Sequence, residues 1–209
     1  MNYNELYVLN SAIDGKDMYG IRRFSDKPMI RAAVEMIKDI LIEKGLLADY
    51  STFTNKGVVE VEKIKQFKTA KKYVSILNMI IGYINKEKGI LLTLDRESDY
   101  LFSVIDLSKN LDTLMKTFPE LLESEKIMDA KSGNIIYVNS RDLIKEYKIN
   151  AKTSFTIKTD IQNIPEKNTK ELFFKAEDKK YYYDCNKSVL YEKQSHELVE
   201  LLRKRLEVI

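Results

Sequence analysis

The sequence predicts an α+β fold, with one or more antiparallel sheets and helices packed on them. Three observations predict it. Apolar residues recur at helical spacing between Pro28 and Lys72. From Tyr73 to Ile105 the spacing changes to the strand period, broken by two polar turns. Past residue 140, strands and then a helix follow again, so Lys88 to Leu122 and Lys170 to Leu206 can be aligned as two copies of one plan. Identity between those stretches is low, so the likeness is one of pattern. The expected organisation is one pseudo-symmetric domain over 1–209, built of two strand-strand-strand-helix halves. It has a helical part to about 72, a first meander and helix at about 73–124, and a second half at about 134–209.

Glu5, Leu6, Val8 and Leu9 form a short apolar segment ended near Gly15, read as a brief helix with a strand as the alternative. Ser25-Asp26-Lys27-Pro28 supplies a cap and an early helical proline. Ile30, Ala33, Val34, Ile37, Ile40 and Leu41 follow at helical period, and Gly45 then Leu46 mark a glycine C-cap. A third helix spans about Lys56 to Lys72, with Val58, Val61, Ile64 and Phe67 inward. Tyr73 to Ile81 is β-branched and apolar. The turn Asn85 to Gly89 leads to Ile90, Leu92 and Leu94, and Arg96 to Asp99 leads to Tyr100, Phe102 and Val104. Ser108 caps a helix carrying Leu111, Leu114, Met115 and Phe118. Ser140 caps a short helix with Leu143, Ile144 and Tyr147. Ser154 to Ile161 alternates as a strand, and Glu171 to Lys175 pairs with Lys180 to Asp184 around Glu177-Asp178-Lys179. Ser188 to Tyr191 is a further short strand, and Ser195 caps a last helix with Leu198, Leu201, Leu202 and Leu206 inward.

With 209 residues, 44% apolar and 32% charged, the chain can bury a sizeable core. Only 3 prolines and 7 glycines are present, so no low-complexity linker is expected. The net charge of +3 is a small excess of 35 basic over 32 acidic residues. The densest basic stretch, Lys63 to Lys72, carries Phe67 and Ala70 at helical spacing and reads as a solvated helix face, not a nucleic-acid patch. Cys185 is the only cysteine, so no internal disulfide can form, which suits a reducing cytoplasm. Residues 1–5 lack a basic region before an apolar run, so no signal peptide is expected. Ile76 to Ile84 is interrupted by Asn78 and is too short to span a bilayer.

The search for chemistry yields no catalytic constellation. One cysteine and one histidine, Cys185 and His196, cannot complete a zinc site, and nothing in the spacing pairs them as nucleophile and base. Asp95, Glu97 and Asp99 sit in a hairpin turn without the glycine and spacing of a calcium loop. No phosphate-binding glycine loop or nucleophile elbow occurs. No catalytic residue, metal or cofactor is therefore assigned. The most unusual feature is the run Tyr181-Tyr182-Tyr183 beside Phe173 and Phe174. Consecutive strand residues point to opposite faces, so one ring set belongs to the core and the other meets a covering helix, solvent or a partner. In the first meander, Leu91, Leu101 and Ile105 likewise give the face opposite Ile90, Leu92 and Leu94 unexpected apolar content. Leu91, Leu101, Ile105, Tyr182 and Leu202 are the candidate partner-binding residues.

Glu5-Leu6-Tyr7-Val8-Leu9 is followed by Gly20-Ile21, then Ala32-Ala33, then a helix ending Leu41-Ile42-Glu43-Lys44-Gly45-Leu46. With the strands, helix, hairpin and final helix after it, this order resembles the EspG family of type VII secretion chaperones, and especially its Gram-positive EsaE-like relatives. The resemblance covers most of the chain. It implies a cytoplasmic chaperone or adaptor without catalytic residues. Such a protein binds the helical export region of a secreted substrate or toxin, keeps it soluble and passes it to the secretion machinery. Two rivals bind differently. An immunity protein would cover a toxin's active domain. A winged-helix regulator would use the helices from Pro28 to Lys72 and the hairpin after them, although Glu60 and Glu62 interrupt the positive charge a recognition helix needs. An enzyme whose carboxylates lie far apart in sequence is a third reading, with no residue pattern in its favour.

Overall fold

The computed structural model describes residues 1–21, 24, 29–94, 99–123, 135–137, 140–150 and 152–206. In chain order the elements are α1 (Tyr3–Ser11), α2 (Arg31–Glu43), α3 (Asn55–Lys68), β1 (Lys72–Ile76), β2 (Met79–Tyr83), β3 (Lys88–Leu94) and β4 (Tyr100–Asp106). Then come α4 (Asn110–Thr117), α5 (Pro119–Leu122), β5 (Ile135–Tyr137), α6 (Ser140–Glu146), β6 (Ser154–Ile161), β7 (Thr169–Ala176), β8 (Lys179–Asp184), β9 (Val189–Glu192) and α7 (Ser195–Leu206). The α+β class is as predicted. The chain divides into two compact units. One comprises Met1–Ala70, Asn78–Ile84 and Lys88–Ile105, and the other Lys71–Leu77, Asn85–Glu87 and Asp106–Ile209. β1 belongs to the second unit, and β2, β3 and β4 up to Ile105 to the first.

The first unit holds α1 to α3 and β2 to β4. A capping box starts α1: Asn2 Oδ1 accepts from the amides of Asn4 and Glu5, both at 3.0 Å, and the Glu5 carboxylate accepts from Asn2 N at 3.2 Å. Glu5 is itself buried and takes a 2.7 Å ion pair from Lys44. The cap expected at residues 25–28 lies outside the described residues. Instead α2 begins after Ile30, which makes no side-chain cap bond. Its end is as predicted. Gly45, at φ +67°, donates to Ile42 O and Leu46 N donates to Leu41 O, each at 2.8 Å, which closes a Schellman motif. Thr54 caps α3 by accepting from Gly57 N at 3.0 Å. Gly57 then sits against the Leu46 carbonyl, where a Cβ would lie 1.9 Å from the oxygen.

That close approach turns Gly57, Ile64 and Phe67 inward. Val58, one residue and about 100° round the helix from Gly57, is therefore 54% exposed and not in the expected inner stripe. Ile30 and Ile40, also expected inward, are exposed, while Ile37 and Leu41 carry the buried face of α2. Phe67 meets Phe102 of β4 edge-on at 5.5 Å and packs over Gly82 of β2. In β3, Ile90 and Leu92 are buried, but Leu94 at the strand end is exposed.

The expected single strand from Tyr73 to Ile81 is two strands. Leu77 takes a left-handed φ of 56° and the chain turns at Leu77-Asn78, ending β1 and starting β2. In the second unit β1 pairs with β6, and the antiparallel order β1-β6-β7-β8-β9-β5 follows. Aromatic rings run across this sheet on both faces. Phe155, Phe173, Tyr182 and Tyr191 are register partners in turn, with centroids 5.2 to 5.6 Å apart, and Phe118 joins Phe155 at 4.6 Å. On the opposite face Phe174 stacks on Tyr181 at 5.1 Å, and Tyr147 after α6 closes on both. Leu143 of α6 completes that second core with Tyr183 and Leu190. Leu198, Leu202 and Leu206 of α7 are buried over the first.

Candidate functional site

Phe102 faces α3, so strand alternation puts Leu101, Ser103 and Ile105 of β4 on the other side of the first unit's sheet. Gly82 faces α3 as well, and its register partner is Ile90, so Leu91 of the next strand position shares the face with Leu101 and Ile105. Leu101 is 59% exposed, and Leu91 and Ile105 are half-buried. Three of the five predicted residues therefore lie on one face of one unit. The other two do not join them. Tyr182 is buried and its hydroxyl donates to Glu171 Oε1 at 2.8 Å, and Leu202 is fully buried on the inner face of α7. Both work inside the second unit's core, because helices cover both faces of the aromatic strands.

Exposed apolar surface is unevenly shared. Twelve large apolar residues are exposed among the described residues, and only Leu77 and Ile144 belong to the second unit. Ile40 on α2 and Val58 on α3, read as core from their periodicity, lie on the surface, and Met36 and Val59, which the periodicity did not single out, are exposed as well. A cleft of about 540 Å³ lies beside α1 and α2, lined mainly by apolar side chains such as Tyr7, Val34, Leu47, Tyr50 and Phe53. Its rim is held by Lys38, which donates to Tyr50 O at 2.7 Å, and by the short contact from Tyr50 Oη to Asp39.

Two buried polar contacts tie elements of the second unit together. Arg205 grips Glu171 through Nε and Nη2 at 2.6 to 2.9 Å, a forked pair around a carboxylate whose side chain is 1% exposed. Burial first, and then the Glu171 charge, hold the Tyr182 phenol far above its ordinary range. Lys180 Nζ donates to Ser195 Oγ at 2.6 Å, a lysine-serine pair the sequence does not announce. Both residues are buried and neither lines a described cavity, so the pair anchors the start of α7. Cys185 packs on the α6 side of the sheet, where burial pushes its thiol upward, while His196 is exposed on α7 over the opposite face. The turn at residues 95–98, with Asp95 and Glu97, lies outside the described residues. Among the described residues no group of three or more metal-ligating side chains could hold an ion, and no helix is long and apolar enough to cross a membrane.

A family model described as a domain of unknown function (DUF5081) matches residues 1–208, and the chain belongs to that family. No curated protein matches it.

Proposed function

We infer that this chain is a non-enzymatic chaperone or adaptor that binds another protein through the first unit. The observation that carries the reading is the concentration of exposed apolar side chains there. Ten of the twelve lie in that unit, and Leu101, Leu91 and Ile105 share one sheet face. Scattered apolar residues are ordinary on a surface, and what supports a docking region is the sharing of one sheet face by Leu91, Leu101 and Ile105. The partner is a helical secreted substrate or toxin, as the likeness to the type VII secretion chaperones implies. An amphipathic helix presents apolar residues at i, i+3, i+4 and i+7, which an apolar surface with a polar rim can cover. Binding takes place in the cytoplasm before export.

The test uses separated segments of a candidate partner encoded with this chain. Co-purification with the helical export segment supports the chaperone reading. Co-purification with the toxic domain alone would replace it with an immunity function.

A further inference from the structure

The second unit carries a pocket of about 560 Å³ at the C-terminal end of α7, within the size range of small-molecule sites of ~300–1,000 Å³. Lys72, Thr159, Lys167, Lys187 and Lys204 line it, with Arg205 beside them. Two of its cations are matched. Lys187 lies 3.5 Å from Asp184, and Arg205 is committed to Glu171. Lys167 and Lys204 form no ion pair among the described residues, and Glu166 is the one other carboxylate in the lining. Lys72 is buried to 6% exposure and donates to Arg205 O at 2.8 Å, which holds a cation at the pocket wall.

The second observation is independent of charge. Thr159 is 4% exposed and its buried Oγ1 has no hydrogen-bond partner. Buried hydroxyls ordinarily find a partner, so this one is a donor left available to a group that enters the pocket. It lies between Val74 and Thr169 in the strand register, on the same sheet face as Lys72. A group that accepts a hydroxyl hydrogen bond and also draws lysines is an oxyanion.

We propose that this pocket binds a phosphate group, either free or carried by a small phosphomonoester. Thr159 donates to one phosphate oxygen after a small local opening, and Lys72, Lys167 and Lys204 supply the positive field. The site is separate from the apolar face of the first unit, and neither reading depends on the other.

The test is calorimetric titration of the full chain at low ionic strength with inorganic phosphate and, separately, with adenosine 5′-monophosphate. Saturable binding is expected, weakened about tenfold by Thr159→Val, the usual scale for losing a hydrogen bond to a charged group. Lys204→Met, at an exposed position, weakens it several-fold and carries the test if Thr159→Val does not fold. Equal affinity for the two probes identifies free phosphate as the source, and tighter monophosphate binding identifies the phosphomonoester. Absence of saturable binding of both probes, equal affinity in the wild type and the folded variants, or equal competition by chloride overturns the proposal.

Discussion

Replacing Arg205 with methionine tests how the second unit is held together. The guanidinium makes three contacts of 2.6 to 2.9 Å with Glu171, a carboxylate at 1% side-chain exposure that otherwise has the Tyr182 hydroxyl at 2.8 Å and a long 3.5 Å contact from Thr169. Methionine keeps the apolar stem and removes the charge. Stranding one member of a buried pair costs about 3–5 kcal/mol, because the remaining charge must stay desolvated or take up a proton. At about 2–4 °C per kcal/mol for a chain of this size, the melting temperature should fall by roughly 6–20 °C. Removing both charges together, as Glu171→Leu with Arg205→Met, should restore most of the loss, since a buried pair is often no better than an apolar substitute. Thermal unfolding followed by circular dichroism measures both variants. A loss below about 1 kcal/mol for Arg205→Met would refute the buried-pair argument, because that is the scale of an exposed ion pair.

Gly57→Ala should cost about 1–3 kcal/mol in urea unfolding, because its Cβ would meet the Leu46 carbonyl, a backbone atom that cannot swing aside. Val58→Ala beside it should stay within about 0.5 kcal/mol of wild type, as a half-exposed helix residue. Asn2→Ala should cost about 1 kcal/mol by opening the capping box of α1, measurable in the same assay. Cys185, its thiol raised by burial, should react with a thiol reagent at pH 8 more slowly than in urea, because less thiolate is present at that pH. Equal rates in the two conditions would contradict that placement.

The elements that local chemistry specifies were legible. Gly45 followed by Leu46 marked the end of α2, and the alternation from Ser154 to Ile161 gave the bounds of β6. The break at Leu77 was not legible, because a leucine at positive φ carries no turn signature of the Asn-Gly kind. The pairing of β1 with β6 was also hidden. It joins residues some eighty positions apart, and periodicity reports only a strand's faces and not its neighbour. The candidate surface divides on the same principle. Strand alternation placed Leu91, Leu101 and Ile105 together. For Tyr182 and Leu202 the question was whether their faces are covered, and that depends on where α6 and α7 pack. The outward turn of Val58 follows from a single backbone contact at Gly57, a tertiary fact that helical spacing cannot carry.

The central claim is that the first unit binds a helical protein through its apolar sheet face, and Leu101→Asp tests it most directly. Leu101 is 59% exposed, so the substitution should leave the melting temperature nearly unchanged while placing a charge on the apolar face. The measurement is the affinity of wild type and variant for the helical export segment of a secreted partner, by titration calorimetry. The account predicts at least a tenfold loss of affinity in the folded variant. Equal affinity in a folded Leu101→Asp variant would contradict it.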